Sequence, residues 1–395
     1  MNLSKWNWKR LIRDWKTRIL CVAFFLFLGT FSLLYRQQNL PLPLDEMRSR
    51  YEVTQQLFNI IPEREFQGEM GEEIYTLLAR QQRLYGMQRF ILSEQEGNTV
   101  ENLEKVVANY VDNGLEIAEN QLRLWEMTDF PSYRVMSGTL PEKQEIEREL
   151  SFLTYLKQHD LDIEWNPFSA SHILQQELEL IAGILLFLFA ALLGADRFTQ
   201  DQTKNWSVTQ GIPVPWKKQW HQRAFHLWIL MWGVILSGSA VSYVSSLIRE
   251  TPGSLSYPVS IYMGNGFGHI ALWQYATLLI IGAMSLSMLL LLLTTGLSWM
   301  IRNIYLTLAL VVSLYYVPFI WQTIRPFSSF QPSLYLHVGD VLKGISMELT
   351  GATGIVFWKI PLAFLLLWAL LEAAFGRVFD FIPTQTIGLK RRETA

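Results

Sequence analysis

Long apolar runs alternate with polar segments along the chain, and their order predicts the architecture. Six runs approach or exceed the roughly 20 residues that a helix needs to cross a bilayer. They cover residues 19–35, 174–195, 224–248, 270–297, 304–321 and 355–375. The pattern predicts an all-α polytopic membrane protein with six transmembrane helices, of which the third to the sixth occupy residues 224–376.

The long segment between the first two runs, residues 36–173, follows a different pattern. Apolar residues recur there at spacings of three and four, which is the period of an amphipathic helix, and strand-like alternation is scarce. Four stretches have this period: residues 45–60, 71–92, 99–125 and 142–159. The segment therefore predicts a small antiparallel helical domain inserted between the first and second spans.

Basic residues and tryptophans are mixed at the amino terminus, in residues 1–18. This mixture predicts an amphipathic helix in the membrane interface, although the same charges would also serve only to keep this end of the chain in the cytoplasm. No small-residue cleavage site follows the apolar run at 19–35. We interpret that run as a retained signal anchor.

Charge sets the predicted topology. Hydrophobic residues make up 50% of the chain and charged residues 17%, against about 25% charged in soluble domains. Residues 36–173 carry 24 acidic and 13 basic residues, whereas 16 basic residues fall in the amino terminus, residues 196–223, the turn at Arg302 and the tail 377–395. Because basic residues favour the inner side, we expect both termini in the cytoplasm and residues 36–173 outside the cell.

Two polar features lie on the predicted outer side. Glu177 and Glu179 stand in the outer turn of the second span. Residues i and i+2 point in different directions on a helix, so we expect at least one of the two to reach headgroups or the helical insert. A role in binding substrate or an ion is the alternative. The glycine-rich loop at 249–269 is interpreted as a re-entrant or interfacial turn.

The residues exclude several classes of chemistry. The P-loop pattern Gly-x-x-x-x-Gly-Lys-[Ser/Thr] is missing, so the chain does not bind a nucleotide phosphate in that manner. The six histidines lack the spacing of metal ligands, and Cys21 is the single cysteine. We therefore assign no catalytic residue, no metal site and no disulfide. A net charge of −2, without a long basic run outside the membrane flanks, gives no indication of nucleic-acid binding.

The polar segment at 196–223, between the second and third spans, is broken by Pro213 and Pro215. Proline removes a helical hydrogen bond, so the segment predicts a short helix, a turn and a new helix at the cytoplasmic surface. Trp206 and Trp216 would supply the rigid apolar anchors that protein interfaces favour. The simpler alternative is an ordinary cytosolic loop.

This segment resembles the coupling segment of the permeases of type-2 ABC exporters, in which a Glu, a Gly-Thr pair, a Pro-[Val/Ile]-Ser-Arg turn and a Lys follow one another. Asp201 stands in the place of the Glu, residues 213–215 in the place of the turn, and Arg223 near the Lys. The Gly-Thr pair and the Ser-Arg after the turn are lacking. A second stretch is similar to the last outer loop of the family, with Pro326, Phe327, Ser328, Phe330 and Gly344 at the corresponding places.

The resemblance implies a transmembrane permease subunit of an ATP-driven ABC exporter in a bacterial plasma membrane, which moves a peptide, lipid or hydrophobic drug outward. It implies a homodimer or pseudo-dimer of permeases and two copies of a separate ABC ATPase that binds ATP-Mg, so this chain would not itself be an enzyme. Coupling to the ATPase would fall to Asp201, Trp206, Pro213, Pro215 and Trp216. The alternative is a non-transporting membrane sensor or immunity protein whose helical insert binds a ligand, and a membrane enzyme is disfavoured.

Overall fold

The computed structural model describes residues 3–34, 44–96, 103–164, 168–199, 215–249, 252–264, 266–322, 331–352 and 354–378, and it is about 81% helical. The chain divides into two compact units. The first, which we call the membrane unit, is made of Met1–Arg36, Ala170–Pro252 and Trp273–Ala395. The second, the insert unit, comprises Gln37–Ser169 and Gly253–Leu272.

Four helices among the described residues are long and apolar enough to cross a bilayer, which indicates a membrane protein. They are Ala170–Gly194, Trp216–Arg249, Leu272–Ile301 and Phe357–Gly376, and they coincide with the predicted second, third, fourth and sixth spans. The shorter apolar helix Ile304–Ile320 and the 15-residue helix Trp15–Gly29 lie at the predicted fifth and first spans. A count of six spans stays a prediction.

Shorter elements complete the membrane unit. The amino-terminal helix ends at Arg13, because Asp14 is extended and begins the next helix, where its side chain accepts a hydrogen bond from Thr17 at 2.7 Å. Asn303 begins the helix after the predicted inner turn and accepts hydrogen bonds from two backbone amides. The other short elements are Phe31–Leu34, Ile304–Ser313, Leu314–Tyr316, Val317–Gln322, Pro332–Leu336, Val338–Lys343, Ile345–Thr350, Phe357–Lys359, Ile360–Leu371 and Glu372–Gly376.

Tryptophans join the two longest helices of the membrane unit, Trp216–Arg249 and Leu272–Ile301. Each of three indole N–H groups of the first helix donates a hydrogen bond of 2.9 Å to the second. Hydrogen bonds between helices contribute to association where water is absent. The donors and acceptors are Trp220 with the Leu292 carbonyl, Trp228 with the Met284 carbonyl, and Trp232 with the Ser287 hydroxyl.

The insert unit is built on the four helices that the periodicity predicts, and the structure confirms them. They are Leu44–Ile60, Glu69–Glu96, Leu103–Glu126 and Lys143–Gln158, accompanied by the short helices Glu63–Phe66 and Tyr133–Ser137. Their apolar faces bury a core that includes Leu57, Ile74, Leu78, Leu124 and Met136. Removing such side chains from water stabilises the fold by roughly 1.5–3 kcal/mol each.

A β-hairpin, which the sequence did not predict, accompanies the helices of the insert unit. Strands Pro258–Tyr262 and Phe267–Ala271 pair antiparallel within the loop that sequence reasoning interpreted as a re-entrant or interfacial turn. Valine, isoleucine and tyrosine in the first strand favour a pleated, half-buried surface. The turn is made by Gly264 at φ 94°, a backbone conformation that side chains disfavour. Among the described residues the fold is therefore mostly helical, with one two-stranded sheet.

Candidate functional site

The residues predicted to couple to an ATPase are only partly within the described chain. Asp201, Trp206 and Pro213 lie outside the described residues, and so do Pro326, Phe327 and Ser328 of the predicted outer loop. Pro215, Trp216 and Gly344 are described. The candidate site therefore comprises the surroundings of these three positions and the polar groups of the membrane unit.

Trp216 opens the long helix Trp216–Arg249, directly after Pro215. Its side chain is 7% exposed and packs on Phe198 and Trp299, with ring centroids 6.2 and 6.4 Å apart. The ring thus anchors the start of the helix within the membrane unit. A new helix after the proline is what the sequence predicts, but the Trp216 ring itself contacts the chain's own residues.

Gly344 occupies a sharp corner between the short helices Val338–Lys343 and Ile345–Thr350. Its φ of 81° lies in the left-handed region that glycine adopts without steric cost. The corner ends the first helix abruptly at Lys343. Lys343 is therefore the last residue of that helix.

The span Ala170–Gly194 is broken in its middle. Residues Ile181–Leu185 form a π-helical turn in which Gly183 has non-helical dihedral angles of −89° and −137°. A Cβ atom placed on Gly183 would meet no atom within 4 Å, so there is free space at the break. Such breaks inside a membrane helix are found where the backbone lines a cavity or a binding site.

Glu179 precedes this break and forms an ion pair with Lys343. The Lys343 Nζ lies 2.7 Å from Glu179 Oε2. Gln175 Nε2 donates to Oε1 of the same carboxylate at 2.9 Å, and the Tyr275 hydroxyl donates to it at 3.3 Å. Both charged side chains are partly buried. The ion pair therefore ties the broken helix to the short helix that Gly344 ends.

A second polar pair, His337 with Asp340, stands at the start of the same short helix. The His337 Nδ1 atom lies 3.2 Å from Asp340 Oδ2, and Nε2 lies 2.8 Å from the backbone oxygen of Tyr315. A carbonyl and a carboxylate only accept hydrogen bonds, so each ring nitrogen has an acceptor to which it donates when the imidazole is protonated. The Tyr315 ring also packs on the imidazole, with centroids 4.5 Å apart.

Both pairs line one cavity of about 130 Å³, which we call the polar cavity. Two carboxylates, one ammonium group and one imidazole line it. Two tyrosine side chains and the residues at the helix break form the rest of the wall. This arrangement suits a polar or zwitterionic group. The lining includes Glu179, Gly183, Tyr275, His337, Asp340 and Lys343.

Glu177 stands two residues before Glu179, does not line the polar cavity, and is fully buried at 0% exposure. The Ser239 hydroxyl of the long helix donates to its Oε1 atom at 2.9 Å. The prediction that Glu177 and Glu179 point in different directions is confirmed. The expectation that at least one of them reaches headgroups or the insert stays a prediction. Glu177 is buried against the long helix, and Glu179 is paired with Lys343.

Sequence reasoning missed most of the polar cavity. It named Gly344, Glu177 and Glu179, but not His337, Asp340 or Lys343 as partners. A local signal existed, since these three residues follow one another at spacings of three and so share one face of a helix. The pairing with Glu179 joins positions more than 160 residues apart, and no local pattern reveals it.

The described residues contain no group of three or more His, Cys, Asp or Glu side chains that would hold a metal ion. Comparisons of the chain with family models, with curated proteins and with solved structures found no match. The geometry of the polar cavity and the partial resemblance of the sequence are therefore the two indications of function.

Proposed function

We propose that this chain is the transmembrane permease subunit of an ATP-driven ABC exporter and works with a separate ATPase subunit. The partial sequence resemblance to type-2 export permeases supports this, as do four helices able to cross a membrane. The observation that carries the proposal is the helix break at Gly183 beside the polar cavity. Broken helices and ionisable side chains are costly in a membrane and are characteristic of substrate pathways.

In this proposal the Glu179–Lys343 pair is a latch between two states of the membrane unit. The pair joins the broken helix to the helix Val338–Lys343. A change of angle at Gly183 separates the two charges and opens the polar cavity to cargo. The free space around Gly183 permits this movement without a steric clash.

The long helix Trp216–Arg249 transmits the movement of the ATPase to the break. Its first turn belongs to the predicted coupling segment at 196–223, and its Ser239 donates a hydrogen bond to Glu177 on the broken helix. The two positions are 23 residues apart, or about 35 Å at the rise of an α-helix. A displacement of the coupling segment by a partner therefore reaches the helix that carries the latch.

The wider assembly follows from the resemblance. Two permeases, as a homodimer or a pseudo-dimer, contact membrane lipids and two ATPase copies, which bind ATP-Mg and perform the hydrolysis. Both termini and the coupling segment with Asp201 and Trp206 face the cytoplasm, and the insert unit faces outward from a bacterial plasma membrane. The cargo is a peptide, a lipid or a hydrophobic drug.

Two glycine variants test the proposal. The full chain is purified from its native membrane with bound partners, and an ABC ATPase is expected to co-purify. In that complex, reconstituted in liposomes, Gly183→Ala favours a continuous helix and is expected to reduce ATP-dependent transport of the hydrophobic dye Hoechst 33342 at least tenfold. Gly233→Ala is the matched control, because a Cβ there also meets no atom within 4 Å but the helix is unbroken. Loss of transport in both variants, or in neither, would contradict the role of the break.

A membrane sensor or immunity protein is the second candidate. The observation that favours it is the insert unit, which has its own apolar core and its own cavity. A sensor of this kind purifies without an ATPase and shows no ATP-dependent transport. The same purification therefore separates the two candidates.

A further inference from the structure

The insert unit contains a cavity of about 170 Å³, which we call the insert cavity. It lies among the helices Leu44–Ile60, Glu69–Glu96 and Leu103–Glu126 and is bounded by Leu140 and Pro141. Its volume is close to the about 150 Å³ of an engineered apolar cavity that binds benzene. The insert cavity thus has room for one small molecule.

Two glutamine side chains form the polar floor of this cavity. Gln81 is 2% exposed and Gln121 is 0% exposed, and both line the cavity. Each amide nitrogen donates to the hydroxyl of Tyr85, at 2.8 and 2.7 Å. Each amide oxygen is buried and has no hydrogen-bond partner among the described residues.

Unpartnered amide groups at the floor require an explanation, because a buried unsatisfied polar group costs about 1–3 kcal/mol. Exchanging the oxygen and nitrogen of either amide does not remove the cost. Only one end of each amide faces Tyr85, so the other end would remain unpaired as a donor instead of an acceptor. The floor therefore offers hydrogen bonds to whatever occupies the cavity.

The remaining walls define the chemistry of that occupant. Arg50 is the charged residue of the lining, and Glu46 and Glu149 lie 2.5 and 4.0 Å from it, so its charge is already balanced. Leu57 and Leu78 contribute apolar surface. An apolar wall with a few convergent polar groups is typical of a small-molecule site, whereas a cluster of waters would leave the apolar surface wet.

An entrance exists at the rim. Ser49 and Thr139 line the insert cavity and are themselves exposed, whereas the floor is buried. A ligand can therefore reach the floor from outside the unit. Ser49 is placed on the surface of the helix Leu44–Ile60, where a larger side chain would narrow the entrance without disturbing the floor.

We propose that the insert cavity binds a small neutral molecule with hydrogen-bond donors, about the size of a monocyclic amide, which it holds by the amide oxygens of Gln81 and Gln121. This binding site does not rest on the proposed transport function. It would serve an exporter or a sensor equally.

The test uses the full chain in lipid nanodiscs and 4-fluorobenzamide as the probe, followed by ¹⁹F NMR. The probe is expected to bind at least tenfold more tightly than 4-fluorotoluene, which lacks the donors, and than 4-fluorobenzoate, which carries a charge. Gln81→Leu and Gln121→Leu are each expected to weaken binding about tenfold, the effect of losing one good hydrogen bond. Gln88→Leu is the matched control, since Gln88 is equally buried on the same helix as Gln81 but bonds to Tyr110 outside the cavity.

A rim variant keeps the test decisive if a floor variant does not fold. Ser49→Trp is expected to abolish binding, whereas Glu52→Trp, on an exposed position of the same helix outside the lining, is expected to leave it unchanged. Absence of probe binding to the unaltered chain would overturn the proposal, and the cavity would then hold water only. Equal binding of 4-fluorotoluene, or equal loss in Gln88→Leu, would overturn it as well.

Discussion

In the membrane unit, charged and indole side chains join helices that are distant in sequence, whereas in the insert unit apolar cores join the helices and the ion pair Lys157–Asp112 is exposed to solvent. The Glu179–Lys343 pair and the three indole bonds belong to the first kind. Lys157 and Asp112 of the insert unit, 60% and 57% exposed, belong to the second. An ion pair is therefore expected to contribute more to stability in the membrane unit than in the insert unit, because solvent screens the exposed pair.

We attribute this difference to the surroundings expected for each unit, which are lipid for the membrane unit and water for the insert unit. Burial of apolar surface drives folding in water, but between helices in lipid it gives little advantage, since lipid tails are as apolar as leucine. Polar contacts and close packing then decide which helices associate. Polar groups inside the membrane unit are consequently candidates for function as well as for assembly.

The largest effect concerns the side of the membrane on which each unit lies. On a Cys21→Ala background, a single cysteine in place of Asn98 is expected to react with a membrane-impermeant thiol reagent in intact cells, and one in place of Asn205 is expected to react only after lysis. The reason is the excess of basic residues in segments 1–18 and 196–223. Labelling of position 205 but not of position 98 in intact cells would contradict the predicted topology.

The next prediction concerns how far the stability of the insert unit depends on its apolar core. Leu124→Ala is expected to lower the free energy of unfolding of this unit by about 3 kcal/mol, because Leu124 is fully buried and its removal leaves a cavity. Hydrogen exchange of residues 44–158 in the full chain measures the change. Ile60→Ala, at a position that is 60% exposed, is the control and is expected to change the value by less than about 0.5 kcal/mol.

Charge pairs are expected to behave differently in the two units. Lys343→Met leaves Glu179 without its ammonium partner and is expected to destabilise the membrane unit by about 2 kcal/mol, whereas the double variant Glu179→Gln with Lys343→Met recovers most of the loss. Lys157→Met removes the exposed pair with Asp112 and is expected to cost about 0.5 kcal/mol or less. Thermal unfolding in detergent compares the variants. Equal losses of stability in Lys343→Met and Lys157→Met would contradict the expected difference between the two units.

A smaller effect is the pH dependence of the insert unit. Burial, and then the nearby Arg148 guanidinium, lower the pKa of His269 from 6.5 to about 4. The unfolded chain therefore binds a proton that the folded chain refuses between pH 6.5 and 4, so this residue makes stability fall as pH falls through that window. The contribution is constant above 6.5.

The contribution of His269 has to be isolated by comparing variants. Burial also raises the pKa of Glu149, and this makes stability rise as pH falls, opposite to the effect of His269. His269→Gln is expected to flatten the pH dependence of the unfolding temperature between pH 6.5 and 4. His159→Gln, at an exposed position, is expected to leave the dependence unchanged. Identical pH profiles for His269→Gln and the unaltered chain would contradict the assignment.

Much of the fold could be predicted from the sequence because the dominant signals are local. The four helices of the insert unit follow from apolar spacing, and four of the six predicted spans follow from long apolar runs. The hairpin was missed because its strands are five residues each and are joined through glycines that favour a turn. Such short strands are stabilised by packing on a helix, as where Phe152 contacts His269 with ring centroids 5.6 Å apart.

The polar cavity was largely unpredictable for a different reason. Gly183 within an apolar run was a local sign of a break, and it went unused. The latch between Glu179 and Lys343, in contrast, depends on the tertiary arrangement of the broken helix and the corner at Gly344. An ion pair of this kind cannot be recognised in the sequence, because each of the two residues alone is typical of an ordinary helix end.

The central claim is that ATP drives a change at the latch of the polar cavity, and a cross-linking measurement tests it most directly. Cysteines replace Glu179 and Lys343 on a Cys21→Ala background, in the complex with its ATPase, and a short bifunctional thiol reagent joins them. We expect efficient cross-linking without nucleotide, because the native side chains meet at 2.7 Å, and a severalfold loss when ATP-Mg and vanadate trap the complex. The same cross-linked fraction with and without ATP-Mg and vanadate would contradict the account.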